Sequence, residues 1–257
     1  MRPGNRCLPR TLKHHNSNFL YGLNPAFEAL RANRRPIHRA YMADSKTRNP
    51  RLKKLRVLLD QKKIPIESAE RGLLQQLCNQ REHQSIVLET GPYPYVPLEK
   101  LLTQNNLILL DNIEDPQNVG AILRSAEAFG YSGILLPTKG VPPVLPSVVK
   151  ASSGASEHLQ ICYTSTANRY LISAQKLGFH TIALDAKGDI DLNHLSVPLD
   201  SKILLVIGGE NRSVGRYILA SADQVVRIPQ AGHINSLNAS ASAAIAMYRI
   251  ANLQARL

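Results

Sequence analysis

The 257-residue chain has no tryptophan, 5% aromatic residues and only three cysteines. Cys7, Cys78 and Cys162 are far apart and odd in number, which argues against a disulfide framework and against paired zinc spacing. A reducing compartment is the simpler inference, and the expectation is the cytoplasm, with an organelle matrix as the alternative. Long apolar runs are missing as well: the longest pieces, such as Leu107–Leu110 and Ile203–Ile207, are far too short to span a bilayer. No Gly-x-Gly-x-x-Gly follows the first of them and no Gly-x-x-x-x-Gly-Lys-Ser/Thr occurs. An ordinary dinucleotide fingerprint and a phosphate-loop NTPase are therefore disfavoured. His14 and His15 lie in a basic lead-in, the other six histidines are scattered, and no Gly-x-Ser-x-Gly elbow is present. A cofactor-dependent transfer reaction fits this inventory better than metal hydrolysis.

Acidic residues are also scarce, but only in one part of the chain. Residues 1–90 hold 18 Lys and Arg against 7 Asp and Glu, whereas residues 91–257 hold 13 against 12. The net charge of +12 thus belongs almost wholly to the first third. Such a field concentrates a polyanion in a salt-dependent way. Arg31, Arg34, Arg35 and Arg39 form one cluster, with Arg48, Arg51, Lys53, Lys54 and Arg56 in a second. Clustering favours a binding face over a generally solvated surface.

Residues 1–17 read as a disordered basic tail. Residues 18–90 read as a compact, basic α/β unit. Asn24-Pro25 suits an N-cap followed by Pro at the first helical position, with the helix running through Ala26–Ala32. A strand over Ile37–Met42, a helix over Pro50–Lys62, a strand over Ile64–Glu67, a helix over Glu70–Cys78 and a strand over Ser85–Glu89 follow. Gly91-Pro-Tyr-Pro-Tyr-Val-Pro97 breaks the pattern, so residues 91–103 read as a linker.

From 104 to 257, short uninterrupted apolar strands alternate with helices. The strands fall at Leu107–Leu110, Gly133–Leu136, Ile161–Tyr163, Thr181–Leu184, Ile203–Ile207 and Val225–Ile228. Helices are expected over Val119–Phe129, from Ser147, over Asn168–Leu177, over Val214–Ala220 and from Asn238 onward. This alternation predicts a largely parallel sheet covered on both faces, an α/β domain.

Three segments of this domain carry the chemistry: Asp115-Pro-Gln-Asn-Val-Gly-Ala-Ile-Leu-Arg124, Gly208-Gly-Glu-Asn-Arg212, and Ile228-Pro229 with Gly232 and Ser236-Leu-Asn238. A strand, a loop of Gly, Asn and Ser, and then a small-residue helix present backbone N–H and C=O groups to a polar ligand. In order and spacing the three segments resemble the signature motifs of the SPOUT superfamily, specifically its TrmH/SpoU-type RNA ribose 2′-O-methyltransferases. Tyr21-Gly-Leu-Asn-Pro25 and His83-Gln84 resemble the ribosomal-protein-like RNA-binding domain of the bacterial enzymes that methylate a guanosine ribose in large-subunit (23S) ribosomal RNA.

The resemblance implies a C-terminal trefoil-knotted methyltransferase domain behind a small N-terminal RNA-binding domain. It implies S-adenosylmethionine as cofactor, held by Gly208, Gly209, Glu210, Ile228, Gly232 and Leu237, with Ile228 and Leu237 enclosing the adenine. Arg124, Asn118, Glu210, Ser236 and Asn238 are the implied catalytic set. Arg124 would contact the target nucleotide; a guanidinium stays protonated at neutral pH, so its expected role is to hold the adjacent phosphate and stabilise developing alkoxide charge. Glu210 would orient Asn118 or Arg124, and Ser236 with Asn238 would position ribose or methionine groups. The partners implied are ribosomal RNA, bound through Arg31, Arg34, Arg35 and Arg39, and a second copy of the chain, the homodimer forming through the knotted domain and letting one subunit present RNA to the other. No membrane and no metal enter the expectation. Ser213 stands where the family's second motif has glycine, and Gln230 and Ala239 also depart from the usual third motif. Two alternatives stay open: a transfer RNA methyltransferase, and a noncatalytic RNA-binding ribosome-assembly factor.

Overall fold

A computed structural model describes residues 18–43, 49–198, 200–210, 212–233 and 236–254. The expected tail, with Cys7, His14 and His15, lies outside the described residues, as do Arg48, Asn211 and Asn235.

The N-terminal unit is built on a four-stranded sheet in the order β1-β4-β2-β3. Its strands are β1 (Asn18–Tyr21), β2 (Ile37–Met42), β3 (Ile66–Ser68) and β4 (Ile86–Thr90). The central β4 is antiparallel to β1 and β2, and β3 joins β2 in parallel. Helix α2 (Pro50–Gln61) begins where Asn49 accepts a hydrogen bond from the Arg51 N–H and Pro50 occupies the first turn. It buries Leu52, Leu55 and Leu59, the i, i+3, i+7 stripe, while Val57 stays exposed. A third helix, α3 (Arg71–Cys78), is anchored by Leu74.

Helix α1 (Leu23–Ala32) departs from the Asn24-Pro25 expectation. The chain enters the helix at Gly22, whose φ of 96° needs a residue without a side chain, and the free N–H of Leu23 is satisfied by Gln84 Oε1 at 2.9 Å. Asn24 instead accepts from Arg51. A cap supplied from 61 residues away leaves no local sequence signal.

The C-terminal unit is a seven-stranded, wholly parallel sheet in the order β7-β6-β5-β10-β8-β11-β9. These strands are β5 (Asn106–Asp111), β6 (Gly133–Leu135), β7 (Gln160–Cys162), β8 (Phe179–Leu184), β9 (Ile190–Asp191), β10 (Lys202–Gly208) and β11 (Gln224–Arg227). The centre of the sheet, β5 and β10, is buried on both faces, as their unbroken Leu, Ile and Val runs require. Around it lie α5 (Pro116–Ala128), α6 (Pro146–Ala151), α7 (Ala167–Gln175), α8 (Arg216–Ser221) and α9 (Ala239–Leu253). Gly120 lets α5 cross α6 closely, since a methyl group there would meet Ala151 Cβ at 2.4 Å. The two-residue β9 is too short to announce itself by periodicity.

The expected linker is itself structured. It contains the short helix α4 (Leu98–Leu101), with Leu101 fully buried. Tyr93 is buried and its hydroxyl donates to Ser156 O at 2.6 Å, and Tyr95 stacks on Tyr163 while its hydroxyl accepts from the Val144 N–H. Buried side chains of both units, from Leu20 and Phe27 to Val148 and Leu159, join in one apolar cluster.

Two of the arginines expected on an RNA-facing surface close this junction instead. Arg35 forms a two-pronged ion pair with Glu157, the side chains being 2% and 1% exposed, and its guanidinium lies over the Tyr93 ring. Arg34 donates to the carbonyls of Glu157, Leu159 and Pro94. The expectation of four free arginines is thereby corrected for these two: their positive charge is spent on carbonyls and a carboxylate inside the protein. Arg31 and Arg39 remain on the surface, paired with Glu28 and Glu67.

Because each charge of the Arg35–Glu157 pair has left water, removal of one partner strands the other. Glu157→Ala should cost about 3–5 kcal/mol in equilibrium urea unfolding, whereas the double change Arg35→Met with Glu157→Leu should recover most of that loss. A Glu157→Ala variant as stable as the parent would contradict a desolvated pair.

Candidate functional site

Four neighbouring parallel strands, β5, β10, β8 and β11, end at one edge of the sheet. Their register is level there: Gly208 lies beside Asp111, Ile207 beside Leu184, and Val226 beside Leu184. In open parallel sheets the crevice beyond the carboxyl ends of the strands is where ligands bind. The loops leaving these strands enclose such a crevice. One cleft is lined by Leu184, Asp185 and Ala186 after β8, Gly208, Gly209, Glu210 and Ser213 after β10, Ile228 and Gln230 after β11, and Ser236, Leu237, Ala239 and Ser242 around the start of α9. A second hollow shares Gly209 and Glu210 and extends to Asn112, Asp115, Asn118 and Arg212.

The loop after β10 is pinned to the end of β5. Gly209 N–H donates to Asp111 O at 3.0 Å, Gly215 N–H to Asp111 Oδ2 at 2.8 Å, and Asn112 Nδ2 to Ser213 O at 3.2 Å. Burial pushes the Asp111 carboxyl above the ordinary carboxylate range, with the Gly215 N–H acting in the opposite sense. Side chains at 208 and 209 would not fit: a Cβ on Gly209 would fall 1.9 Å from Asn112 O, and one on Gly208 2.4 Å from Val214 N. Both glycines thus serve the fold of the loop itself, and both also line the cleft. Ser213, which stands where the resembled motif has glycine, donates its hydroxyl to the Asp185 carboxylate and so ties the β10 loop to the β8 loop.

Three of the five expected catalytic side chains meet. Glu210 Oε1 accepts from Asn238 Nδ2 at 2.5 Å, from Asn118 Nδ2 at 3.3 Å and from the Ala239 N–H at 3.3 Å. Asn238 Nδ2 also reaches Asn118 Oδ1 at 2.9 Å. Asn118 is placed by the first turn of α5, where Asp115 accepts from the Gln117 N–H and Pro116 follows. Asn238 is the N-cap of α9, its Oδ1 accepting from the N–H groups of Ser240 and Ala241. Glu210 orients Asn118, not Arg124.

Arg124 stands apart. Six residues beyond Asn118, it is about 9 Å along the axis of α5 and on another side of it. Its Nη1 donates to Ser153 Oγ at 3.3 Å, and the side chain is exposed. Ser236 and Leu237 line the cleft with Ile228, and Leu237 is 38% exposed, a large apolar side chain facing the opening. Gly232 is exposed, on the loop that leaves the cleft-lining Gln230, and is not itself among the residues that line the cleft.

Leu184, Asp185 and Ala186 were not anticipated from the sequence. The signal was faint: an acidic residue after an apolar strand, followed by a Lys-Gly turn. Among the described residues no group of three or more His, Cys, Asp or Glu is arranged to hold a metal, and no helix is long and apolar enough to cross a membrane.

Comparison with known proteins bears on this arrangement. Residues 105–248 match the model of the SpoU rRNA methylase family, and residues 19–96 match that of an RNA 2′-O ribose methyltransferase substrate-binding domain. A tRNA/rRNA methyltransferase of Mycobacterium sp. strain KMS, itself uncharacterized, is 32% identical over 93% of this chain and 77% of its own length. Among solved structures, the SpoU methyltransferase AviRb of Streptomyces viridochromogenes superposes with a TM-score of 0.78 at 22% identity, covering 94% of this chain and 91% of that one. An AdoMet-bound rRNA methyltransferase of Sinorhizobium meliloti gives 0.76 at 21% identity, with 91% and 87% covered. At that identity the likeness establishes a shared fold.

Asn238 both caps α9 and binds Glu210, and the two roles separate by substitution. Asn238→Ala should lower stability by about 1 kcal/mol through loss of the cap. Asn238→Asp keeps the cap acceptor but sets a second carboxylate against Glu210. It should unfold below the parent's melting temperature at pH 7, and further below it at low salt than at high salt, because like charges then repel unscreened. Equal melting temperatures for Asn238→Asp and the parent at pH 7 would show that the two side chains are not in contact.

Proposed function

The chain belongs to the SpoU rRNA methylase family of RNA ribose 2′-O-methyltransferases, and from that premise we propose that it methylates the 2′-oxygen of a guanosine ribose in large-subunit ribosomal RNA. The observation that carries the reading is the convergence of Asn118, Glu210 and Asn238 beside a cleft at the ends of β8, β10 and β11. Ribosomal RNA is favoured over transfer RNA by the separate basic unit ahead of the sheet.

The cleft fits S-adenosylmethionine chemically. Ile228 and the exposed Leu237 offer apolar walls for a flat adenine, and the backbone of 208–210 lies beside them. Glu210 and Asp185 place carboxylates where a ligand with cationic centres would gain from them. When bound, S-adenosylmethionine supplies a methyl group on a positively charged sulfur. The residues of the chain contribute position and charge. Asn118, Glu210 and Asn238 fix the loop ends around the cleft. Arg124, exposed on another face of α5, holds the phosphate next to the target ribose and stabilises the negative charge that develops on the 2′-oxygen as its proton passes to water. Ser236 orients polar groups at the cleft rim. Orientation and preorganised electrostatics carry the rate enhancement, with no metal involved.

The same reading includes a trefoil knot, supported by the insertion of β10 between β5 and β8 and by the return of the chain from β11 to pack α9 on α5. It includes a homodimer through this domain, supported by apolar side chains that α9 leaves uncovered: Tyr248 is 54% exposed beside Phe129, and Ile245 is 42% exposed. Sedimentation at micromolar concentration should give a dimer that Tyr248→Glu with Ile245→Glu dissociates; a monomeric parent would contradict it.

The activity is tested by incubating the protein with methyl-labelled S-adenosylmethionine and RNA from cells lacking it, then mapping the product. Label should enter a 2′-O-methylguanosine of large-subunit RNA, and Arg124→Ala should reduce transfer by roughly 100-fold or more. Label confined to transfer RNA would replace the substrate, and absence of transfer with RNA still bound would make the chain a noncatalytic RNA-binding protein.

A further inference from the structure

Away from the cofactor cleft, a hollow opens where the N-terminal unit meets the end of α6. Its lining joins Arg71, Arg81, His83, Gln84 and Ser85 from one unit to Lys150 from the other, with Glu82 as the one carboxylate. Neither Arg71 nor Arg81 nor Lys150 has an ion-pair partner among the described residues, in contrast to Arg31, Arg35 and Arg39. Three cations converge on the hollow and are left mostly unneutralised.

The arrangement is built rather than incidental. Lys150 Nζ is held 3.1 Å from Gln84 Oε1 and lies over the Tyr21 ring, and the absent side chain of Gly22 makes its room, since a Cβ there would come within 2.6 Å of the ammonium. Gln84 and Ser85 both take the left-handed backbone conformation, with φ of 53° and 64°, which side-chain-bearing residues adopt at a cost that functional sites commonly carry. His83 is buried, and its Nδ1 accepts from the Ser85 N–H at 3.1 Å, which assigns the ring proton to Nε2. Burial, with Arg71 nearby, holds its imidazole below the ordinary histidine range, so the ring is a neutral donor at pH 7. Burial likewise depresses the Lys150 ammonium, with Glu82 acting only partly in the opposite sense, a penalty that a further anion would relieve. Guanidinium, ammonium and imidazole N–H groups around one hollow are the donor set of a phosphate.

We propose that this hollow holds a backbone phosphate of the RNA substrate, beside the target nucleotide's own contact at Arg124. The two sites are close along the chain: Ser153, which receives Arg124, donates its backbone N–H to Lys150 O, one turn away. RNA engaged at Lys150 therefore leads toward Arg124 along the end of α6. Basic residues on the two units then share one strand, which explains why the basic unit is fixed rigidly to the sheet by Arg34 and Arg35.

The proposal rests on the RNA methyltransferase reading and is tested by RNA binding apart from methyl transfer. Arg81→Ala and Lys150→Ala are measured with a transcript of large-subunit ribosomal RNA across a range of salt, with S-adenosylhomocysteine affinity and melting temperature as controls. Each variant should bind the RNA about tenfold more weakly at low salt, and the slope of log affinity against log salt should fall by about one. Glu82→Gln should bind more tightly than the parent. Unchanged affinity and slope in both alanine variants, with the parent binding and methylating the RNA, would overturn the phosphate site and leave the enzymatic reading standing. Weakened binding in a protein that never transfers a methyl group would support the site and overturn that reading. A parent that binds no RNA would overturn both.

Discussion

The Glu210 carboxylate is the point on which the cleft depends. One oxygen gathers hydrogen bonds from the first turn of α5, from the cap of α9 and from the first N–H of that helix. The sequence separations are large, with 92 residues between Asn118 and Glu210 and 120 between Asn118 and Asn238. What allows them to meet is the level ending of β5, β10, β8 and β11, which brings the exits of distant strands to one edge. A carboxylate at the N-terminus of α9 is also where the helix dipole favours negative charge. Remove it, and the loops that wall the cleft lose their common anchor while the sheet beneath them stays intact.

A second constraint fixes the basic unit to this sheet. Arg34 and Arg35 look like part of a surface charge cluster, yet they reach inward to Glu157, Leu159 and Pro94. A buried, fully paired charge adds little net stability, yet removing either partner strands the other in a dry site. The remaining arginines and lysines then stand at defined positions on the surface relative to the Lys150 hollow and Arg124. The positive charge of the first third is thus divided between contacts inside the protein and side chains left on its surface.

Much of the fold was legible because it is local. The apolar runs at 107–110 and 203–207 became the two central strands, and the alternation with helices became a parallel sheet. The motifs that name Asn118, Glu210 and Asn238 were also readable, and their side chains do converge. What could not be read is side-chain chemistry across long separations. Gln84 capping α1, Ser213 binding Asp185 and Arg35 pairing with Glu157 leave no periodic trace. The Asn-Pro rule illustrates the limit. At Asp115-Pro116, where no cap is expected, an aspartate cap followed by Pro starts the helix three residues before the apolar pattern suggests. At Asn24-Pro25 the same signal is overridden by a distant glutamine.

The central claim is that the crevice beyond β8, β10 and β11 is a cofactor site anchored by Glu210. Its most direct test is a crystal structure of the protein grown with S-adenosylhomocysteine. The account predicts ligand density between the 184–186 and 208–210 segments, with the adenine against Ile228 and Leu237 and the Asn118–Glu210–Asn238 contacts intact. Density at another surface, or a crevice left empty at saturating ligand, would contradict it.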